Sequence, residues 1–563
     1  MAPEVIHPAA LRGPRARFHH RACGSGKIVK TNVSRNVLND LRLGYAVSEV
    51  IVSLPPSISP RSEAEQIELL KNQLQWAEWK IRKLEERLRL ELLKKYGPKS
   101  EKLNDAQLQL LQLEPGVSAA EVEAESEREP LPPASSSPAV GRKNGTHPGR
   151  QELPAALPRV ERVIACTPEQ CVCKDCGQDT VVIGYEQSEQ LDVEPARYFV
   201  VVTRREKRAC RECAEAGVSA AALPERIIDK SLASDRVVID TVVAKYSDHL
   251  PLYRQSVILE RETGLTISRA TMDGWVLRVG ELLTPVVTAM GRELVAGSYI
   301  QADETPVAVQ MHDGRGKNHQ AYLWQYGQPG GSAVFEFQLG RGREGPKQFL
   351  GQFEGILQTD GYAAYEGVGG LRMVHAACWA HARRKVFDAL KLNPDDRVAR
   401  QLVARIDELF AIDAVARNSG MDDAARHALR LERSRPLLHL IREEMEAARA
   451  AALPSSALGK AVTYTLSLWH KLTRFLEHPE LELSTNLAEN SMRPVVLGRK
   501  SWIHVGSQQA GPKVAAILSV VESCRRLKLP VRKYLAGILP GLANRSIQSI
   551  KQYTPAAWAA SRP

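Results

Sequence analysis

Three acidic side chains lie in sequence contexts that favour metal chemistry. Asp303 falls within the largely apolar stretch 297–309, which predicts a buried strand, where an uncompensated carboxylate is costly. Asp360 ends the apolar run 355–359 and precedes a glycine, so we expect it at a strand end, where ligands gather in open α/β sheets. The third acid, Glu489, lies much further along the chain. Carboxylates are hard oxygen ligands, and a few of them can hold Mg²⁺ together with its waters.

Each acid also has a simpler interpretation. Asp303 could be a salt-bridged core acid, and the neighbouring Glu304 is an equally good ligand by spacing alone. Asp360 could be only a turn residue. Glu489 could close a capping box, because Asn486 is a plausible N-cap that would put Glu489 at the third helical position. No single acid decides between these alternatives, so the case depends on all three and their flanking motif.

The three acids and their surroundings resemble the DDE transposases of the insertion-sequence-66 (TnpC-type) family. The resemblance rests on Asp303, Asp360 and the run 486–500, which reads NLAENSMRPVVLGRK and contains Glu489. It extends over most of the chain from about residue 60 to the end. The pair Ser484-Thr485 stands where the family often has Asp-Asn, outside the three acids.

This resemblance implies an enzyme with a ribonuclease-H-like core, in which Asp303, Asp360 and Glu489 are catalytic and bind Mg²⁺ or Mn²⁺. It also implies cleavage of double-stranded DNA at the ends of a mobile element, strand transfer to a target, and small accessory proteins of the same element. In-line transfer of a phosphodiester needs charge stabilised on the attacking and leaving oxygens, which two metals ~3.5–4 Å apart provide. One alternative is a catalytically inactive zinc-containing DNA-binding protein derived from a transposase, and a second is a nuclease without strand transfer.

Basic residues offer contacts to a DNA partner. Arg493, Arg499 and Lys500 follow Glu489 and could contact phosphates, although solvated surface residues are an equal alternative. The net charge of +11 and the isoelectric point of about 9.1 permit a nucleic-acid partner without requiring one. The Cys378-x-x-His381 pair resembles a signature that follows the second aspartate in several DDE groups. His375, Cys378 and His381 do not share one helical face, which argues against a metal there.

Two Cys-x-x-Cys pairs separated by 33 residues predict a closed tetrahedral zinc site. The predicted ligands are Cys173, Cys176, Cys210 and Cys213. Cys166 and Cys171 compete for the first pair, and a redox Cys-x-x-Cys is the alternative function. Four thiolates leave no open metal position, so this zinc would be structural. The chain has nine cysteines, four of them in Cys-x-x-Cys pairs, which suits a reducing cytoplasm. A DNA-directed protein would be expected there near the nucleoid.

Residues 62–113 contain a heptad pattern that predicts a coiled-coil helix and a homodimer or higher oligomer. An amphipathic helix folded back onto its own protein is the alternative. The seam residues are Ile67, Leu70, Leu74, Ala77, Ile81, Leu84 and Leu88. There is no run of apolar residues long enough to cross a bilayer, and the N-terminus lacks the apolar region of a signal peptide.

The pattern as a whole predicts a multidomain α/β protein. With 563 residues, 44% apolar and 25% charged, the chain has the composition of globular domains. A turn at 263–268 followed by a helix is a weak helix-turn-helix signal, and a plain helical bundle fits equally well. The predicted segments are a disordered extension 1–61, the coiled coil 62–113, a linker 114–157, a four-cysteine domain 158–228, a helical segment 229–296, the first part of the core 297–385, an all-helical insertion 386–480, the Glu-bearing part of the core 481–528 and a tail 529–563.

Overall fold

The structure is a computed structural model that describes residues 63–96, 178, 197–209, 218–311 and 318–561. The chain divides into two units, residues 1–77 and 78–563. The predicted extension 1–61, the linker 114–157 and the four predicted zinc ligands lie outside the described residues.

The structure combines helices with a mixed sheet, so the predicted α/β class is confirmed. The strands are β1 Lys207–Ala209, β2 Val218–Ala220, β3 Tyr299–Val309, β4 His319–Gly327, β5 Ala333–Gln338, β6 Ile356–Thr359 and β7 Val374–Ala377. The helices are α1 Glu63–Tyr96, α2 Asp235–Tyr246, α3 Leu252–Thr263, α4 Arg269–Val295, α5 Glu344–Leu350, α6 Trp379–Leu392, α7 Arg397–Asn418, α8 Asp423–Leu429, α9 Arg435–Ala451, α10 Ala457–Ser467, α11 Trp469–Leu472, α12 Asn486–Trp502, α13 Ala510–Arg526, α14 Val531–Ile538 and α15 Pro555–Ala560. Within the described residues, no helix is both long and apolar enough to span a bilayer.

Strands β3 to β7 form one five-stranded sheet in the order β5-β4-β3-β6-β7. The first three strands are antiparallel neighbours, whereas β6 and β7 run parallel to β3. All four residues of β6 are buried, as expected for a strand covered on both faces. Strand β3 lies within the stretch 297–309 that predicts a buried strand, and β6 lies within the apolar run 355–359 before Asp360. Strand β7 was not predicted, because four residues beside a helix start carry too little pattern.

Helix α13 covers β5, the edge strand of the sheet. The backbone N–H of Phe335 donates to the Ser519 hydroxyl at 2.8 Å, and that of Ala333 donates to the Ser523 hydroxyl at 2.9 Å. Ser523 donates in return to the Ala333 carbonyl at 3.0 Å. Two buried serines thus satisfy backbone groups that an open sheet edge would expose.

Helices α6 to α11 surround a second apolar core. A buried ionic network lies inside this helical part: Arg426 and Arg430 both bind Asp413, which is 2% exposed. Arg430 also donates to backbone carbonyls in the segment that leads out of the helices, including those of Phe475 and Leu481. Each charge has a partner, as a buried ion requires. The network therefore fixes the path of the chain as it returns to the sheet.

Candidate active site

Of the predicted acids, Asp303 lies on β3, and Asp360 directly follows the adjacent parallel strand β6. Strands β3 and β6 pair with Gln301 opposite Gln358, and two positions further along this register are Asp303 and Asp360. The Asp360 carboxylate accepts a hydrogen bond from the Tyr362 backbone N–H at 2.8 Å, which is a turn interaction. The turn residue Gly361 has a φ of +89°, a backbone conformation that favours glycine. Asp360 is therefore both a turn residue and a strand-end acid.

The third acid, Glu489, lies in the first turns of α12 and faces α6. One carboxylate oxygen is 3.3 Å from His381 Nε2, and the other accepts from Arg384 Nη2 at 3.1 Å. The capping-box alternative is wrong, because α12 is capped by Thr485 with no side-chain cap bond and begins at Asn486 itself. Glu489 consequently follows the N-cap residue by four positions, and its side chain contacts His381 and Arg384 of α6.

The buried Cys378 and the partly buried His381 form a pair beside Glu489. The Thr485 backbone N–H donates to Cys378 Sγ at 3.3 Å. Burial opposes protonation of His381, but the Cys378 and Glu489 charges outweigh it and raise its pKa to about 10. Burial likewise works against a Cys378 thiolate, yet His381 lowers the pKa of that thiol below its usual value. The third residue of the sequence motif, His375, instead contacts the Thr359 hydroxyl at 2.9 Å.

Electrostatics links Asp303 to Glu489. Burial raises the pKa of Asp303 to about 7, and the negative charge of Glu489 contributes in the same direction. The charge of Asp360 contributes to the raised pKa values of Glu304, Arg341 and Tyr464. Across the described ranges, no three His, Cys, Asp or Glu side chains converge closely enough to hold a metal ion. The structure thus brings Asp303 and Glu489 together, and sets Asp360 on the neighbouring strand.

The donor set fits a divalent cation. Asp303, Asp360 and Glu489 offer only carboxylate oxygens, which Mg²⁺ and Mn²⁺ prefer. Burial and the negative charge of Glu489 both raise the pKa of Asp303, and a bound cation would relieve that cost of ionisation.

Glu304, the competing ligand candidate, is engaged elsewhere. Its carboxylate accepts from Arg341 and from the Tyr365 hydroxyl at 2.9 Å, and its side chain is 2% exposed. Successive residues of a strand point to opposite faces, which separates Glu304 from Asp303. Sequence reasoning missed Arg341, Tyr365 and Arg384. The one available signal was the glycine-flanked arginine at 340–342.

The three predicted DNA-binding residues differ in their surroundings. Arg499 Nη1 donates to the Thr305 hydroxyl at 3.0 Å and to the Pro306 carbonyl, so it ties α12 to β3. Arg493 is half-buried, and Lys500 is exposed. Of the three, Lys500 has the most accessible side chain for a phosphate.

Comparison with known proteins shows which family the chain resembles. The family model described as "Transposase IS66 family" matches residues 230–513, a range that includes all three acids. The "zinc-finger binding domain of transposase IS66" matches residues 170–214, which include the four predicted zinc ligands and Cys171 but not Cys166. A third model, "Transposase C of IS166 homeodomain", matches residues 83–162.

Similar proteins occur in Sinorhizobium fredii (strain NBRC 101917 / NGR234). The uncharacterized protein y4qI is 32% identical over 76% of this chain and 80% of its own length. The uncharacterized protein y4jD is 32% identical over 73% of this chain and 82% of its own. The uncharacterized protein y4hP is 29% identical over 84% of this chain and 87% of its own. Since the first family model alone spans half of the sequence, the chain belongs to the transposase IS66 family.

Proposed function

We propose that this protein is a DDE transposase that cleaves and transfers DNA strands of an insertion sequence with divalent metal ions. The observation that carries the proposal is the neighbouring position of Asp303 and Asp360 on parallel strands, together with the electrostatic link between Asp303 and Glu489. Membership of the family supports the reaction class. Double-stranded DNA is the substrate, both at the element ends and at the target, and accessory proteins of the same element are proposed partners. Acting on such DNA, the protein would work in the cytoplasm at the nucleoid.

The sheet supports a ribonuclease-H-like interpretation of the catalytic core. Three antiparallel strands are followed by two strands parallel to the first, with that first strand in the centre. This order sets the Asp303 strand beside the Asp360 strand without any intervening element. The helical residues 379–476 lie between the second acid and the third in sequence.

Asp303, Asp360 and Glu489 would hold Mg²⁺ or Mn²⁺, which would stabilise negative charge on the attacking and leaving oxygens of the phosphodiester. His381 and Arg384 orient Glu489 from α6. The buried Cys378 Sγ, at the start of α6, accepts from the Thr485 backbone N–H and so holds the start of α12 against α6. Lys500 offers an exposed cation to the DNA backbone.

The substitution Asp360→Asn tests the catalytic assignment. It keeps the side-chain volume and an acceptor for the Tyr362 N–H, but removes one ligand charge. We expect joining of a labelled element end to a target plasmid to fall more than ~100-fold with DNA binding retained, because even outer-shell partners of a metal site are worth ~10–100-fold.

Asp229→Asn, in an exposed turn, is the matched control and should join normally. Joining by Asp360→Asn at the wild-type rate would refute the catalytic role. Binding without joining by the wild-type protein would instead favour the inactive DNA-binding alternative.

The zinc-binding domain leads to a second proposal, that Cys173, Cys176, Cys210 and Cys213 are its ligands. Thiolates prefer zinc, and four of them complete its tetrahedral shell. Metal analysis of the purified chain should give about one zinc per chain. Cys176→Ser should lose it, whereas Cys166→Ser, outside the matched domain, should keep it. A wild-type zinc content near zero would contradict the proposal.

A further inference from the structure

A second charged cluster, unused by the proposed chemistry, lies beside Asp360. Its centre is the Glu304 carboxylate, whose Oε1 accepts from Arg341 Nε at 2.9 Å and from Nη2 at 2.6 Å. The Tyr365 hydroxyl donates to Oε2 at 2.9 Å. Burial raises the pKa of Glu304, while Arg341 and Tyr365 oppose that rise. The Glu304 side chain is thus a fixed, buried anchor.

Arg341 is held rigidly and yet remains accessible. Its guanidinium carbon lies 4.0 Å from the centre of the Tyr362 ring, and the Tyr362 hydroxyl donates to the Arg341 carbonyl at 2.9 Å. The Arg341 side chain is still 44% exposed. Glycines flank it on both sides in the β5–α5 loop, so neighbouring side chains do not cover it. Such pre-organisation lowers the entropic cost of binding a ligand.

The guanidinium also lies close to the proposed catalytic edge. The Tyr362 backbone N–H donates to the Asp360 carboxylate at 2.8 Å, so the ring beneath Arg341 belongs to the Asp360 turn. The charge of Asp360 acts on both Glu304 and Arg341. In the part of the chain that the structure describes, Arg341 Nη1 makes no hydrogen bond. The planar cation therefore has one edge on a buried carboxylate, keeps Nη1 available for a ligand, and stacks on the ring of a residue in the Asp360 turn.

We propose that Arg341 is a phosphate-positioning residue that binds a non-bridging oxygen of the DNA backbone next to Asp360. Arginine suits this role because its planar donors match a phosphate and its charge is permanent. Glu304 and Tyr362 set the plane of the guanidinium, so Glu304 acts through Arg341. The proposal rests on the proposed function, since it assumes that DNA approaches the Asp360 edge.

The test measures binding of a short fluorescein-labelled duplex of arbitrary sequence by anisotropy, in Ca²⁺ and over a series of salt concentrations. Phosphate contacts carry no sequence information, so any duplex reports them. Arg341→Ala should bind about 10-fold more weakly. The slope of log affinity against log salt should become less steep by the amount that corresponds to about one phosphate contact. Arg341→Lys should restore most of the slope, but should join strands more slowly than wild type because a point charge does not fix the phosphate geometry.

The matched control is Arg372→Ala. Arg372 also places Nε and Nη2 on one carboxylate oxygen, that of Glu354, but its side chain is 83% exposed and it lies on another loop. We expect this variant to keep the wild-type affinity and slope, because Arg372 lacks the fixed position of Arg341.

Because Arg341→Ala leaves a buried carboxylate without its cation, a second variant guards against misfolding. Glu304→Gln combined with Arg341→Met removes both charges and should show the same DNA defect. Wild-type affinity and salt slope in this double variant would overturn the proposal and leave Arg341 as a partner for Glu304 only. Failure of the proposed function has a different signature, namely wild-type protein that binds the duplex but never joins it in Mg²⁺.

Discussion

Glu489 depends on its neighbours for its orientation. Its carboxylate spans His381 and Arg384, two residues of one helix, and both are cations at neutral pH given the raised pKa of His381. These contacts fix where the carboxylate points, but their positive charge also repels a divalent cation. Orientation and repulsion therefore act in opposite directions on metal binding.

Substituting Arg384 separates the two effects. Arg384→Ala removes a fixed donor, so we expect joining at saturating Mg²⁺ to fall by ~10–100-fold, as for other outer-shell partners. Measuring at saturating metal removes any gain in metal affinity that follows from losing the charge. Arg384→Lys should show a similar loss, since lysine keeps the positive charge but lacks the planar guanidinium.

Lys391→Ala provides the control on the same helix. Lys391 lies over the Phe387 ring, near the C-terminal end of α6. Joining by this variant should match that of wild type. An Arg384→Ala protein that joins strands at the wild-type rate would show that Glu489 needs no orienting cation.

The limits of sequence reasoning are clearest at single residues. Asp303 and Glu304 are adjacent and chemically similar, and only the strand's alternation separates their surroundings. Arg341 became recognisable only when folding placed it on Glu304, from a loop 37 residues away. The capping-box alternative for Glu489 was plausible locally and failed because a tertiary contact recruited the carboxylate.

Helices α4 and α13 pack at very short range. A Cβ on Gly280 of α4 would lie 2.6 Å from the Lys513 carbonyl oxygen of α13, closer than side-chain atoms normally approach. Gly274, on the same helix, has no heavy atom within 4 Å of such a Cβ. The two glycines therefore differ in environment while sharing helix and backbone geometry.

These positions give a paired prediction. Gly274→Ala should stabilise the protein by ~0.5–1 kcal/mol, because alanine loses less backbone entropy in a helix. Gly280→Ala should destabilise it by ~1–3 kcal/mol, since α4 and α13 must move apart. Thermal unfolding followed by circular dichroism would show midpoint shifts of opposite sign. A rise in both midpoints would mean that the two helices can separate without cost.

Long, patterned elements were predictable and short ones were not. Helices α2 to α4 and strands β3 to β6 follow strong periodic or apolar signals. The helix α4 continues through Pro285 to Val295, because its buried face against α13 outweighs the local helix-breaking signal of the proline. Strand β7 is held by pairing with β6, a non-local interaction.

At the scale of the molecule, the helices that lie between Asp360 and Glu489 in sequence link these two distant acids. Tyr464 of α10 donates to the Asp360 carbonyl, and a Cβ on Gly361 would meet Leu468 at 2.5 Å. Arg430 binds the returning segment, including the Leu481 carbonyl, shortly before α12 and Glu489. The same group of helices thus contacts the second acid's turn and directs the third acid. The sequence predicted helices here, but it could not predict these contacts, since Arg430 and Leu481 are 51 positions apart and Tyr464 and Asp360 are 104 positions apart.

Oligomerisation is the remaining proposal at this scale, and it concerns α1. The predicted seam is exposed along the helix: Leu70, Leu74, Leu84 and Leu88 are 63, 62, 56 and 63% accessible. Burying one leucine stabilises an assembly by ~1.5–3 kcal/mol, so a seam of this length can hold two helices together. We therefore expect a dimer of wild-type protein in light scattering. Combining Leu70→Glu with Leu84→Glu should yield monomers, because charges would face each other across the seam.

Asn72→Asp combined with Gln75→Glu adds the same charge to the same helix on the face away from the seam, at heptad positions f and b, and should leave the dimer intact. If the seam variant stays dimeric, the subunits must associate through another surface. If the wild-type protein is monomeric at micromolar concentration, the seam does not pair protomers at all, and synapsis of two element ends would need DNA or an accessory protein to bring the subunits together. Comparing the three proteins with and without a labelled duplex distinguishes these outcomes, because assembly driven by DNA alone would produce dimers of the wild type and of the seam variant equally.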